Sequence, residues 1–373
     1  GDIKLATLSD TDTTNVTGSE LVTNNSSFSN TTGYTALSGA GLSVASSKIR
    51  VVGADSSDGT YGLSYAVSTT VGKTYVFNAV AEASSSWAPR VGTSSGGQEL
   101  VLGTSQTGSG VESSSLTFKA TGTTAYVTVY VYGANHTGDI TSFSVRLAEE
   151  DRSVNGNGLQ VFGTVTKTAV ATGADLVGYT NFYSNRYLEQ PYNSDLDFGT
   201  GDFSISFWMK NTSSSSNNQV VVDRLLSGTG LIIRVDYPTG LIRFQLFKSG
   251  VGDTLVGTIQ THAGPWTHMV AQRTGSTIQL FTDGVLNVSM TSTRDISVNT
   301  SLLIGTDRAK NAAYSAPFTS LALFRISATV PTAEQIAKMY RDEKPLFQEN
   351  AQATLYGTSD AVTALAYDDD TEL

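Results

Sequence analysis

A neutral sugar is held by a flat ring against its C–H face and by Asn, Asp, Gln or Arg on its hydroxyls. Loops carrying such groups recur along this sequence. Trp87 stands in Ser-Ser-Ser-Trp-Ala-Pro-Arg90, a neighbourhood too polar for a core strand, and is the leading aromatic candidate, with a core-edge position as the alternative. Tyr132 precedes the loop Gly-Ala-Asn-His136-Thr-Gly, in which His136 reads either as a sugar contact or as part of a solvated turn. Further on, the loops Asp236-Tyr237-Pro-Thr-Gly and Asp307-Arg308-Ala-Lys-Asn-Ala-Ala-Tyr314 can between them combine ring, carboxylate and amide at a sandwich edge.

Reaction chemistry is harder to find. The absence of Cys excludes a thiol nucleophile, a Cys-ligated zinc site and a disulfide scaffold. Abundant Ser and Asp accompany three His, but no Gly-x-Ser-x-Gly elbow lies between a strand and a helix. His268 alternates with Trp266 and reads as a structural residue satisfied by hydrogen bonds. Trp208 and Trp266 read as core. The expectation is binding without catalysis.

The elements that must position these loops are strands. Short β-branched and aromatic runs alternate with Gly, Ser, Asn and Asp clusters, the pattern of antiparallel sandwiches. In 125–132, Val127, Val129 and Val131 take the core face, and Tyr126, Thr128, Tyr130 and Tyr132 the other. Runs at 73–80 and 140–147 complete the first set. A second set follows at 203–210, 231–235, 241–247, 267–272 and 277–281, with Asp283-Gly284 as a hairpin signal. One helix is expected: Thr332-Ala-Glu-Gln335 has the form of a capping box, Ile336, Met339 and Tyr340 share a face, and Pro345 ends the element.

The 373 residues suffice for two domains. Only 15% are charged and the net charge is −10, so the surface is polar but largely neutral, and no basic stripe exists for nucleic acid. No apolar run is long enough to span a membrane. Basic and acidic groups number 7 and 12 in 1–150, 16 and 15 in 151–347, and none and 6 in 348–373. The last segment is thus distinct, and its apolar run 362–367 with no closing turn suggests that the natural chain continues.

The stretch Asn185–Lys210, with Asp195-Leu-Asp197-Phe-Gly-Thr-Gly-Asp202-Phe-Ser-Ile-Ser-Phe-Trp208, resembles the opening of concanavalin A-like lectin/glucanase domains of the laminin-G and pentraxin type. Trp266-Thr-His268, Leu280-Phe-Thr-Asp-Gly284, Leu303-Ile-Gly-Thr-Asp307, Phe324-Arg-Ile326 and the terminal helix follow in family order. Residues 20–147 resemble, more loosely, a carbohydrate-binding-module jelly roll. The fold class expected is therefore all-β: two antiparallel β-sandwiches (jelly rolls) in series, with one short C-terminal helix on the second. The divisions are a lead-in segment 1–19, a carbohydrate-binding-module-like sandwich 20–150, a concanavalin A-like sandwich 151–347, and an acidic segment 348–373 that opens a further β unit.

This combination, joined by Arg152-Ser-Val-Asn-Gly-Asn-Gly, resembles bacteriophage tail-fibre and other virion appendage proteins. The resemblance implies an extracellular particle protein that binds host cell-surface glycans, contacts other virion proteins and forms homo-oligomers, with a trimer as the fibre form. Alternatives are a structural spacer or capsid decoration, or an accessory region of a polysaccharide depolymerase. The Glu-x-Asp-x-x-Glu string of the glucanase branch is absent. Calcium is the cofactor that the resemblance suggests, and Asp195, Asp197 and Asp202 are the closely spaced carboxylates available to it, a solvated turn being the other reading.

Overall fold

The computed structural model describes residues 3–8, 11–53, 60–83, 86–107, 110–132, 137–149, 157–212 and 217–352. Two antiparallel sandwiches account for nearly all of them, each around its own apolar cluster.

In the first, the sheet Gly41–Ala45, Lys48–Val52, Thr137–Glu149, Thr74–Ala83 and Val111–Lys119 faces a sheet centred on Thr124–Tyr132. Val127, Val129 and Val131 are fully buried there, as the alternation requires. Thr60–Ser68 and Ser86–Gly92 flank Thr124–Tyr132 on either side.

The second sandwich has one sheet in the order Val285–Thr291, Thr277–Thr282, Thr267–Thr274, Phe203–Asn211, Thr319–Ser327. Its other sheet runs Leu159–Ala169, Tyr187–Gln190, Leu302–Ile304, Gln219–Leu226, Thr229–Val235, Leu241–Lys248, Val251–Gln260. Phe203, Ile205, Phe207 and Met209 point into the core between the sheets.

The expected lead-in is part of this second sandwich. Ile3–Leu8 pairs with Thr319–Ser327, Val16–Gly18 pairs with Leu159–Ala169, and Val16 joins the second core. Short β-branched runs near a chain end add cheaply to an open sheet edge, whose backbone groups need partners in any case. The two sandwiches also share a ladder, Ala148 opposite Gln160 and Glu149 opposite Leu159. Residues 348–352 lie beside 172–175, with Asn350 N donating to the Thr172 carbonyl at 2.8 Å; the rest of the acidic segment, 353–373, lies outside the described residues.

The helix α1, Ala333–Glu343, begins with the expected capping box: Gln335 N donates to Thr332 Oγ1 at 3.2 Å and Thr332 N to Gln335 Oε1 at 2.8 Å. Ile336 packs on Val270 and Phe281, so α1 covers part of the sheet's outer face. Asp283 and Gly284 form the hairpin turn at φ 49° and 80°, the two positive values that a two-residue type I′ turn needs. Beyond α1 a short turn, Lys344–Phe347, with Pro345 near its start, stacks Phe347 on Trp208 at 4.3 Å between centroids.

Trp208 is buried in a secondary cluster with Trp266 packed against it, rather than between the sheets. Its Nε1 donates to Glu343 Oε2 at 2.7 Å. His268 lies 5.2 Å from the Trp208 ring and 6.3 Å from that of Tyr340. Its backbone N–H donates to Asp283 Oδ1 at 2.9 Å and its carbonyl accepts from Asp283 N at 2.9 Å, but neither ring nitrogen has a partner. Packing, not side-chain hydrogen bonding, therefore fixes this imidazole, contrary to expectation. Burial pulls its pKa from 6.5 down to about 4, with Glu343 opposing and Arg325 adding to that pull.

Between pH 6.5 and 4 the unfolded chain binds a proton at His268 that the folded chain refuses, so stability falls as pH falls through that window. A shift of this size corresponds to about 3 kcal/mol at the acid end. Urea midpoints measured from pH 7 to pH 4 should decline for the native sequence and decline less for His268→Phe. Parallel declines would refute the assignment.

Candidate functional site

Of the two expected ligand loops of the second sandwich, 307–314 lies at a cavity on the outer face of one sheet and 236–240 contributes nothing to its lining. In Gln219–Leu226 and Thr229–Val235, Leu231, Ile233 and Val235 take the core, leaving Ile232 and Arg234 on the outer face. The segment 305–314 folds over this face. With Asn218 and Val220 it encloses a cavity of about 400 Å³ lined by Asp223, Arg234, Asp307, Arg308 and Tyr314 among others.

Several restraints hold this segment in place. Asp223, 2% exposed, accepts from Arg308 N at 2.9 Å through Oδ2 and from Leu225 N at 2.8 Å through Oδ1. Burial raises its pKa despite those two bonds. The Arg308 guanidinium donates to Ser301 Oγ at 2.8 Å and to the Ser301 carbonyl. Lys310 Nζ lies 4.9 Å from the Tyr187 ring centroid and 5.4 Å from that of Phe162, two rings that stack 4.5 Å apart. Thr306 and Ser315 hydroxyls meet at 3.2 Å. Gly305, at φ 89°, could carry no Cβ: the atom would fall 2.3 Å from Phe182.

At the tip, Asp307 Oδ1 accepts from Asn311 N at 2.6 Å, and Asn311 Oδ1 caps the single turn Ala312–Tyr314 by accepting from Ala313 N at 3.0 Å. Tyr314 is thereby presented 41% exposed.

Asp236 and Tyr237 are not part of the lining of this cavity. Asp236 is buried between Arg234, whose Nε donates to it at 3.1 Å, and the Arg243 guanidinium. This corrects its expected part as a sugar-facing carboxylate: two guanidiniums use its charge, and its effect on the cavity is to orient Arg234. Tyr237 is exposed, precedes a cis peptide to Pro238, and donates its backbone N–H to Asn218 Oδ1 at 2.8 Å. Asn218, Asp223 and Arg234 are polar lining residues that sequence reading missed. Asn218 is one of many amides in a Ser/Asn run, and Arg234 looks like any outward strand position.

The first sandwich does not supply the expected aromatic platform. Trp87 is 1% exposed, opposite Val131 within the core. The polar Ser run before it does not bring it to the surface, because Trp87, Ala88 and Pro89 are all buried in a strand paired on both sides. Tyr132 is half-buried and its hydroxyl accepts from Arg90 at 2.7 Å, while Arg90 also lies 4.5 Å from the Tyr130 ring centroid. His136 lies outside the described residues.

The three carboxylates considered for calcium serve separate local ends. Asp197 pairs with the buried Arg224 and accepts from the Tyr192 hydroxyl at 2.8 Å. Asp202 Oδ1 accepts from Gly275 N at 2.7 Å. Asp195 sits in the short turn Ser194–Leu196, capped by Asn193. Among the described residues no group of three or more His, Cys, Asp or Glu is placed to hold a metal ion. Close spacing in sequence fails here because the turn directs the carboxylates to different partners, so the set does not fit a calcium site.

Residues 183–337 match the family model of the Concanavalin A-like lectin/glucanases superfamily, laminin-G type. Over those residues the second sandwich is therefore similar to concanavalin A-like lectin/glucanase domains, and its fold is of that lectin-like β type. Solved structures similar to this chain include the botulinum neurotoxin serotype D binding domain, at 16% identity, covering 53% of this chain and 49% of that one, with a TM-score of 0.42. The botulinum neurotoxin DC binding domain aligns in its complex with SialylT and in its complex with rat synaptotagmin II, each at 14% identity, 52% and 48% coverage and a TM-score of 0.40. The chain spans about half the length of these solved chains. No curated protein matches.

Replacing Asp223 by Ala strands two backbone N–H groups and should cost about 2–4 kcal/mol in urea unfolding. Asp223→Asn, which keeps one acceptor oxygen, should cost less. Equal midpoints for native and Ala forms would show that the carboxylate does not hold the segment.

Proposed function

We propose that the second sandwich binds a neutral saccharide in the cavity beneath 305–314, without turning it over. The observation that carries this reading is the convergence of an exposed ring, Tyr314, with Asn218, Arg234 and Asp307 around one recess of about 400 Å³. Ring and hydrogen-bonding groups together are what a sugar requires. The two carboxylates and two guanidiniums of the lining offset each other, which suits an uncharged ligand. Hydrolysis needs one carboxyl free to give a proton and another free to attack or to activate water. Asp223 has both oxygens engaged by backbone N–H groups, and Asp307 one.

The wider role we assign is host recognition by a virion appendage of the tail-fibre kind, supported by the tandem sandwiches and the weakly charged, hydroxyl-rich composition. Linkage of such sites in an oligomer would raise avidity by roughly 10²–10⁴ without new contacts. A glycan array probed with this chain and with Tyr314→Ala tests the proposal. Bound glycans should lose affinity about 3- to 10-fold in the variant, the worth of one aromatic contact. An array with no retained glycan would favour a spacer or decoration role, and new reducing ends released from a bound polysaccharide would favour a depolymerase.

A further inference from the structure

The opposite outer face of the same sandwich carries a second recess, of about 650 Å³, between the strands Thr267–Thr274 and Thr277–Thr282 and the segment 328–333 that leads into α1. Ser204 Oγ donates to the Thr329 carbonyl at 2.9 Å and fixes that segment against the sheet.

The floor of the recess is a pair of amides. Gln272 and Gln279 lie directly opposite in the ladder, and Gln272 Nε2 donates to Gln279 Oε1 at 3.0 Å. Gln272 is 3% exposed, yet its Oε1 has no partner. A buried carbonyl oxygen left without a donor is costly, and native structures rarely leave one so. Exchanging O and N on both amides keeps the amide-to-amide bond but makes the outstanding buried atom of Gln272 a donor and moves the spare acceptor to Gln279. A sugar hydroxyl, which both donates and accepts, meets either arrangement.

We infer that this recess is a second binding site, for a neutral saccharide whose hydroxyl donates to the buried Gln272 amide. The rim adds Thr274 and Thr277 hydroxyls, and Val330 and Pro331 form an apolar wall for C–H groups. Asp202 is the only ionisable residue of the lining, so nothing there attracts an anion. The neighbouring Arg273 is turned away, its guanidinium donating to the carbonyls of Gly199, Gly201 and Arg294. A peptide is the poorer occupant. Both floor strands are already paired on either side, so no strand edge is open to an added backbone.

The inference does not depend on the cavity beside Tyr314, and the test separates the two. The 373-residue chain carrying Tyr314→Ala is titrated with cellotriose, maltotriose, triacetylchitotriose and a neutral Ser/Thr-rich heptapeptide, with calorimetry as the readout. At least one trisaccharide should retain binding, and adding Gln272→Leu or Gln279→Ala should weaken it about fivefold or more, the effect of one lost hydrogen bond. Gln272→Leu should leave the thermal midpoint unchanged or higher, since it removes an unmet polar group; Gln279→Ala repeats the test at a less buried position. Unchanged affinity in both glutamine variants, loss of all trisaccharide binding in Tyr314→Ala, or glutamine-dependent binding of the peptide alone would overturn it.

Discussion

The cavity beneath 305–314 depends on one buried carboxylate. Asp223 sits on a strand whose other face builds the core, and both its oxygens are taken by backbone N–H groups, one from its own strand and one from Arg308. A carboxyl group almost fully removed from water is tolerated only where such donors replace its hydration. Its burial and its hold on 305–314 are therefore two aspects of one arrangement. The ring of Tyr314 and the amide of Asn218 have defined positions because the segment between them and the sheet has no freedom to lift.

Both sheets of the second sandwich are covered on their outer faces, by different means. On one, α1 and the Lys344–Phe347 turn lie over Val270, Phe281, Trp208 and His268, so a strand such as Phe203–Asn211 is buried on both sides. On the other, the cover is an irregular segment carrying charge and amide. The helix contributes apolar packing and excludes water. The irregular segment leaves polar groups at its margin, among them Asp307, Arg308 and Tyr314 around the cavity.

Fold was legible in the sequence wherever period and turn chemistry acted together. Val127, Val129 and Val131 read as core because alternation leaves no other choice, and Asp283-Gly284 and Thr332-Ala-Glu-Gln335 announce their geometry through local sterics and capping. Of the site, Asp307, Arg308 and Tyr314 were legible as one loop, but Asn218, just before the strand Gln219–Leu226, and Asp223 and Arg234, on adjacent strands, carry no local mark. Trp87 misled because three serines before it say nothing about the partners its strand finds. Asp236 misled because its two guanidiniums, Arg234 and Arg243, come together only through pairing of adjacent strands. Asp195, Asp197 and Asp202 looked like a cluster along the chain, whereas Arg224 claims the second of them from 27 residues away.

The strands near the chain's start, Ile3–Leu8 and Val16–Gly18, are woven into the second sandwich, and the first sandwich follows before the chain returns at Leu159. The first unit is consequently a loop of chain tethered at both of its ends to the second. Mechanical load entering the second unit can bypass the first entirely, and a protease that severs one crossing leaves the other still holding the two together.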